Sequence, residues 1–263
     1  MKKISTYFIA ILLLVAMLAG CGAGADTNTP ETLPDDAVIA AAPEVIPEAT
    51  PESSEDDGAY EGDTFTHYTD TVYPQQIERY YTALSEKWEE GMYFDNGLSH
   101  LPFYYYEGNP LENVGYTFID LDNDSSMELI IGAILNSEKD PAVFEIWTLV
   151  DGEPHMLSQG SSRNRYILQY AEDDGMWYIV NEASNSAFNS ATYYLMLNEG
   201  KFEVVQGVIF DAFANEENPW FLTYDMDWDT SNDEPTDEAT ANAIFESNRK
   251  LYTVPEYLPY SSY

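Results

Sequence analysis

The sequence predicts an α+β fold in which an antiparallel β-meander of about 7–9 strands carries an N-terminal and a C-terminal helix. Three observations support this prediction. Apolar residues recur at helical spacing before residue 90, the period changes to two after residue 113, and a capped amphipathic segment follows residue 235. Because both helical segments lie outside the run of strands, we expect the two helices to pack on one face of the sheet.

The first helix is predicted from apolar side chains spaced three or four residues apart, namely Ile77, Tyr80, Tyr81, Leu84 and Trp88. Pro74 supplies a start signal and Gly91 a stop signal. We expect the aromatic side chains of this stripe to face the core.

Seven strands are predicted from the period of two, at about residues 114–121, 127–135, 142–150, 163–171, 176–183, 190–198 and 201–211. Asp151-Gly152, Asp174-Gly175 and Glu199-Gly200 separate several of them. Gly after an acidic residue tolerates the positive φ of tight hairpins, so these pairs predict antiparallel connections.

The second helix is predicted at about residues 236–252. Thr236 is placed to cap its N-terminus, Asp237 and Glu238 suit the first turn, and Arg249 and Lys250 suit the last turn.

The N-terminus combines a basic start, a short apolar run and a cysteine. Lys2 and Lys3 precede apolar residues 9–18, and Leu18-Ala19-Gly20-Cys21 follows. The run is shorter than the roughly 20 apolar residues of a spanning helix. A transmembrane helix and a secretory peptide without lipid are the alternatives.

This order resembles the signal peptide of bacterial surface lipoproteins of Gram-positive type. The resemblance implies that residues 1–21 are a signal peptide, that Cys21 is acylated with a diacylglyceryl group, and that the protein is held on the outer face of the cell membrane. Cys21 is the only cysteine of the chain. Its acylation would leave no thiol for a disulfide, a nucleophile or a zinc site.

The distribution of charged residues separates the rest of the chain into two parts. Residues 22–70 contain acidic residues, five prolines and no Lys or Arg, which predicts a disordered acidic tether and leaves residues 71–263 as a single domain. The whole chain has 47 acidic and 10 basic residues. This balance argues against nucleic-acid binding and against attachment to anionic lipid through basic patches, and it favours a monomer.

The main candidate site is the segment from Asp120 to Glu128. Side-chain oxygens of Asp120, Asp122, Asp124 and Glu128, with the carbonyl of Ser126, are spaced as in short loops that wrap Ca²⁺. The segment resembles the calcium hairpin of FG-GAP repeats, and the resemblance implies these five ligands and a structural calcium ion, with no other cofactor.

Two departures accompany this resemblance. Ser125 occupies the position where related loops have Gly, and Ile131 occupies the position where an EF-hand has Glu. An EF-hand is therefore disfavoured. The alternative to a metal site is an acidic turn that faces water.

A second acidic segment repeats the spacing with Asp225, Asp227, Asp229 and Asp233, but it has Asn232 where the first loop has the apolar Met127. We interpret it first as a solvated acidic linker and second as a metal site.

No catalytic motif identifies an enzyme. The three histidines form no HExxH, and no G-x-S-x-G, P-loop or G-x-G-x-x-G occurs. Catalytic residues therefore stay unassigned. The aromatic residues placed to stack on a ligand are Tyr104, Tyr105, Tyr106 and Trp220, although core packing is the commoner use of such side chains.

The preferred hypothesis is a non-catalytic module that binds an extracellular glycan or protein or interacts with the cell envelope. The alternative is a carbohydrate-active hydrolase with paired carboxylates, which requires two carboxyl groups about 5–9 Å apart in a cleft. A purely structural envelope protein is a third interpretation.

Overall fold

A computed structural model of the chain describes residues 60–134 and 142–263. The predicted signal peptide, Cys21 and most of the predicted tether lie outside the described residues. Within the described ranges, no helix is long and apolar enough to cross a membrane. All of the described residues belong to one compact unit.

Short helices precede the sheet. They are α1 (Tyr60–His67), a π-helical turn (Tyr68–Val72), α2 (Pro74–Ser85), α3 (Glu90–Asp95), a 3₁₀ turn (Leu101–Tyr105) and α4 (Pro110–Asn113). The helix α2 confirms the first predicted helix, with Pro74 at its start and Ile77, Tyr80 and Leu84 buried. The predicted helix end at Gly91 was wrong, because α2 ends at Ser85 and Gly91 lies inside α3.

The predicted boundary between tether and domain falls within folded structure. Helical backbone begins at Tyr60, Thr69 is buried, and Phe65 and Tyr68 pack against the core. The prediction of a tether relied too heavily on the acidic residues of this stretch. The aromatic side chains of Phe65 and Tyr68 supply enough apolar surface to dock it, so the folded part begins before residue 71.

An antiparallel sheet of eleven strands confirms the predicted fold class. The strands are β1 (Val114–Ile119), β2 (Glu128–Ala133), β3 (Val143–Val150), β4 (Glu153–Gln159), β5 (Asn164–Ala171), β6 (Met176–Ser186), β7 (Asn189–Asn198), β8 (Lys201–Asp211), β9 (Trp220–Thr223), β10 (Glu234–Thr236) and β11 (Leu258–Pro259). Their order is β10-β9-β8-β7-β6-β5-β3-β2-β1-β11, and β4 pairs with β3. All seven predicted strands are present, while β4 and the short β9, β10 and β11 were missed.

Two of the three predicted hairpin turns have the expected backbone, while at Asp174-Gly175 only Gly175 has positive φ, at 69°. Asp151 and Gly152 have φ of 54° and 82°, and Glu199 and Gly200 have φ of 49° and 72°. Positive φ at both central residues is typical of the type I′ turn, whose twist matches that of the flanking strands.

The C-terminal helix α5 (Glu238–Arg249) confirms the second predicted helix with a corrected cap. Asp237 accepts a hydrogen bond from the Thr240 amide at 2.7 Å, while Thr236 belongs to β10. Thr236 pairs with Trp220 in the sheet, so its backbone is committed to the strand and the next residue caps the helix.

The helices α2 and α5 pack on the same face of the sheet. The cluster of buried side chains around α2, which we call the α2 core, includes Phe144 of β3. The cluster around α5, the α5 core, includes Ile167 of β5. Their preceding neighbours, Val143 and Tyr166, are paired across the two strands. Since paired residues share a face and successive residues alternate, Phe144 and Ile167 face the same side. The opposite face holds a second core around Ile130, Ile179 and Leu195.

Candidate functional site

The loop between β1 and β2 gathers three of the predicted metal ligands. Asp120, Asp122 and Asp124 each offer a carboxylate oxygen that lies within 4.8 Å of the other two. The β1–β2 pairing runs from Val114–Ala133 to Ile119–Glu128, and it fixes both ends of the loop. The convergence follows from local sequence, because alternate loop residues point toward the inside of a tight turn.

Hydrogen bonds from backbone amides shape this loop. Asp120 accepts from the amides of Asp124 and Ser125 at 3.1 and 3.0 Å, and Asp124 accepts from the amide of Ser126 at 2.6 Å. Asn123 and Ser125 have φ of 59° and 73°. Ser125 therefore has the left-handed backbone that explains why related loops have Gly at this position.

Asp122 carries a polar atom that lacks a partner. Its Oδ1 is buried and has no hydrogen-bond partner among the described residues. Burial raises the pKa of Asp122, and the charge of Asp124 raises it further. A divalent cation would supply the missing partner and offset the mutual repulsion of the carboxylates, so the donor set fits a hard cation such as Ca²⁺.

Glu128 has a different position from the one predicted. Its side chain is 1% exposed, and its two oxygens accept hydrogen bonds from the Leu121 amide and the Thr148 hydroxyl, each at 2.8 Å. Burial raises the pKa of Glu128 to about 7. Glu128 is not part of the three-carboxylate group among the described residues. It connects the loop to β3 through Thr148. The amide of Ser126, the fifth predicted ligand, donates a hydrogen bond to Asp124.

Two tyrosines hold the end of the loop, and sequence patterns did not predict this role. The Met127 amide donates to the Tyr68 hydroxyl at 3.1 Å, and the Tyr73 hydroxyl donates to the Met127 carbonyl at 3.0 Å. Both tyrosines come from the helical segment before the sheet. The position of the loop thus depends on residues more than 50 positions away in the sequence.

The second acidic segment forms a chain of local turns. Asp225, Asp227 and Asp229 each accept a hydrogen bond from the amide two residues later, at 3.1, 2.9 and 3.0 Å. Within the part of the chain that the structure describes, Asp225, Asp227, Asp229 and Asp233 do not form a group of three converging ligands. Backbone amides thus engage Asp225, Asp227 and Asp229, as expected of local turns in a solvated linker. Asp233 differs, because its Oδ2 is buried and has no hydrogen-bond partner among the described residues.

Of the four predicted stacking residues, only Tyr104 is exposed. Tyr104 donates to Glu90 at 2.9 Å. Tyr105 and Tyr106 are half-buried against the α2 core, where the Tyr106 hydroxyl lies 2.6 Å from that of Tyr93. Trp220 is half-buried, with its ring 6.1 Å from that of Phe245 on α5. Core packing thus accounts for three of the four.

A cleft that sequence reasoning missed lies over β5, β6 and β7. It has a volume of about 370 Å³. Its walls carry the amides of Asn164, Asn181 and Asn185 and the rings of Tyr166, Tyr193 and Trp228, and we call it the asparagine cleft. None of the described residues that line it is Asp or Glu. No sequence signal could have found it, because its residues are spread over three strands and a loop.

Two further titratable side chains, those of Glu145 and His100, are buried away from the cleft and contribute to packing and hydrogen bonding within the domain. Glu145 is fully buried and accepts from the Ser99 amide, the Trp147 indole and the Gln159 amide at 2.8, 2.9 and 3.2 Å. Burial raises the pKa of Glu145. His100 is buried, with its ring 4.5 Å from that of Phe94. Neither side chain lines the asparagine cleft.

Comparison of this chain with protein-family models, with curated proteins and with solved structures finds no significant match.

Proposed function

We propose that this chain is a membrane-anchored, extracytoplasmic lipoprotein whose domain binds a ligand without catalysing a reaction. The observation that carries the proposal is the asparagine cleft, whose walls combine amides and aromatic rings and contain no carboxylate among the described residues. Amide and aromatic side chains orient a ligand, whereas hydrolysis by paired carboxylates requires two carboxyl groups at the reacting bond. The two tyrosine hydroxyls of the cleft are engaged within the fold, that of Tyr166 by Asn164 and that of Tyr193 by the Asp227 carbonyl.

The composition of the cleft gives no support to the hydrolase alternative. A glycosidase with paired carboxylates needs both groups in the cleft that holds the sugar. Glu145 and Glu128 are 0% and 1% exposed and are engaged by hydrogen bonds from the fold. The one exposed stacking candidate, Tyr104, lies outside the cleft.

The test of this function is a comparison of binding with turnover. The mature protein in detergent micelles is screened against glycan and peptide arrays, and every captured ligand is then incubated with the protein overnight. We expect capture with no new reducing ends and no cleaved peptide by chromatography. Release of product would contradict the proposal.

We further propose that the Asp120 loop holds a structural calcium ion. The support is the convergence of Asp120, Asp122 and Asp124 together with the unpartnered oxygen of Asp122. With a Kd near 0.1 mM and about 1 mM free Ca²⁺, the ion would stabilise the folded domain by about 1.4 kcal/mol.

Thermal melts with EDTA and with excess Ca²⁺ test this site. We expect Ca²⁺ to raise the Tm by roughly 2–4 °C. Asp122→Asn should abolish that shift. Asp227→Asn, at the matching position of the second acidic segment, should retain it. An equal Ca²⁺ response of the wild type and Asp122→Asn would refute the site.

The lipid anchor is proposed from the sequence, since Cys21 lies outside the described residues. In a bacterial host, the wild type should fractionate with the membrane and incorporate labelled palmitate. Cys21→Ser should do neither. Membrane retention of Cys21→Ser would contradict the anchor and would leave the proposal for the domain unaffected.

A further inference from the structure

We infer that the asparagine cleft binds a neutral carbohydrate of one or two sugar rings. The inference rests on the proposed binding function and names the ligand class of the same site. Four features of the cleft support this ligand, namely its tryptophan, its amides, its charge and its place in the sheet.

The aromatic walls suit the faces of a sugar ring. The half-buried Trp228 ring lies 6.4 Å from the Tyr193 ring at 86°. Because Tyr193 is only 1% exposed, it supports Trp228 from the core, and Trp228 supplies the aromatic face that a ligand can reach. The Tyr193 hydroxyl donates to the Asp227 carbonyl at 3.3 Å and holds the loop that carries Trp228 against β7. Sugar rings present C–H faces that pack on aromatic rings, and an aromatic ring that is already held in place lowers the entropic cost of binding.

The amides suit the hydroxyl edges of the same ligand. Asn181 donates to the Asn164 carbonyl oxygen at 2.7 Å, and Asn164 donates to the Tyr166 hydroxyl at 3.2 Å, so internal contacts fix these side chains. Each Asn amide has both donor and acceptor groups, and each sugar hydroxyl also donates and accepts. Asn181 is only 1% exposed and also donates to the Arg165 carbonyl, so it holds Asn164 in place from inside the fold. The half-buried Asn164 and the exposed Asn185 are the amides that match a polyhydroxylated ligand.

The charge of the cleft argues for a neutral ligand. Arg163 is the only charged residue among the described residues that line it, and Arg163 donates to the Asn185 carbonyl at 3.3 Å. With no carboxylate in the wall, nothing selects an amine or a metal cation. The formal net charge of the chain is −37, which repels anions from the surface as a whole.

The position of the cleft disfavours an extended peptide. The strands β5, β6 and β7 lie inside the sheet, each with a neighbour on both sides. Their backbone groups are paired, so no free edge is available for an added strand. The cleft volume of about 370 Å³ suits a small ligand, since small-molecule sites span about 300–1,000 Å³.

The experiment titrates the full mature protein in detergent micelles with cellobiose, maltose and N,N′-diacetylchitobiose, followed by calorimetry and tryptophan fluorescence. At least one disaccharide should bind at concentrations up to about 10 mM, where a millimolar ligand saturates. The affinity should be the same at low and high NaCl, because a neutral ligand releases no counterions. A tripeptide of alanine is titrated in the same way to test whether the cleft binds peptide instead of sugar.

Two tryptophan variants separate the cleft from the rest of the domain. Trp228→Ala should weaken binding about tenfold, the loss expected for one aromatic face. Trp177→Ala is the matched control, because Trp177 also packs on the second core but does not line the cleft. It should bind as the wild type does. If Trp228→Ala does not fold, Asn185→Ala at the exposed rim should weaken binding about fivefold.

Failure of all three disaccharides to bind, or equal binding by the wild type and Trp228→Ala, would overturn the inference. Capture of the alanine peptide without a sugar would overturn it as well, while leaving the proposed binding function intact. Hydrolysis of a bound disaccharide would support the sugar site and would contradict the proposed non-catalytic function.

Discussion

The Tyr73 hydroxyl donates a hydrogen bond to the Met127 carbonyl at 3.0 Å, across 54 residues of sequence. This contact joins the helical N-terminal segment to the last residue of the Asp120 loop. Because Tyr68 accepts from the amide of the same Met127, both backbone groups of that residue are satisfied from outside the hairpin. The geometry of the candidate metal centre is therefore coupled to the docking of residues 60–73.

Removing the Tyr73 hydroxyl should destabilise the domain. Tyr73→Phe leaves the Met127 carbonyl without this donor and should lower the free energy of unfolding by about 1 kcal/mol. Urea denaturation measures the change. Tyr81→Phe on α2, the helix that follows Tyr73, is the control, since the Tyr81 ring packs on Tyr263. A Tyr73→Phe protein as stable as the wild type would show that the contact contributes nothing.

Replacing Ser125 with Gly should stabilise the domain. Ser125 has φ of 73°, where a side chain costs roughly 1–2 kcal/mol that Gly avoids. Part of this gain is lost to the greater freedom of Gly in the unfolded chain, so we expect a net increase of about 0.5–1 kcal/mol. Ser126→Gly, at the next position and outside the left-handed region, should destabilise. Thermal melts of both variants give the comparison.

Glu128 should make stability depend on pH in the absence of calcium. Burial raises its pKa in the folded state from the ordinary 4.5 to about 7. Between these values the folded protein binds more protons than the unfolded chain, so this residue's contribution to stability falls as the pH rises from about 4.5 to about 7.

Glu128→Gln isolates that contribution, because the amide can still accept from the Leu121 amide and donate to the Thr148 hydroxyl. In EDTA the variant should be more stable than the wild type at pH 8, and the advantage should shrink as the pH falls toward 5. Urea denaturation across this range tests it. A difference between the two proteins that does not change with pH would contradict the raised pKa.

Glu145 should be essential to the fold. Glu145→Ala leaves the Ser99 amide, the Trp147 indole and the Gln159 amide without their shared acceptor, and it should cost more than about 3 kcal/mol. Glu153→Ala, on the exposed part of the neighbouring β4, should change stability by less than about 0.5 kcal/mol. Comparable effects of the two substitutions in urea would refute a structural role for Glu145.

Sequence patterns predicted the elements whose signals are local. The period of two located β1, β2, β3 and β5 to β8, and acidic-Gly pairs located their tight turns. The spacing of Asp120, Asp122 and Asp124 predicted a convergence that the structure contains, because residues in one tight loop cannot separate far. The short strands β9, β10 and β11 gave no periodic signal, since two to four residues are too few to show one.

Other site features depended on contacts between distant segments. Glu128 belongs by its spacing to the loop, yet Leu121 and Thr148 engage its carboxylate. Tyr104 and Tyr105 are neighbours in the sequence, but one is exposed and the other is half-buried against the core. The docking of residues 60–70 depended on Phe65 and Tyr68, whose effect the surrounding acidic residues concealed.

The sequence by itself determined the α+β class, the main strands, both predicted helices and the acidic loop. It also led to the predictions of an anchor at Cys21 and of calcium. Only the tertiary structure decided which acidic side chains are buried and hydrogen-bonded within the domain and which aromatic rings stay exposed. It also decided that Asn164, Asn181 and Trp228 meet in one cleft. Periodicity records the face on which a residue lies, whereas a cleft depends on strand order and loop packing, which bring together residues that no local pattern relates.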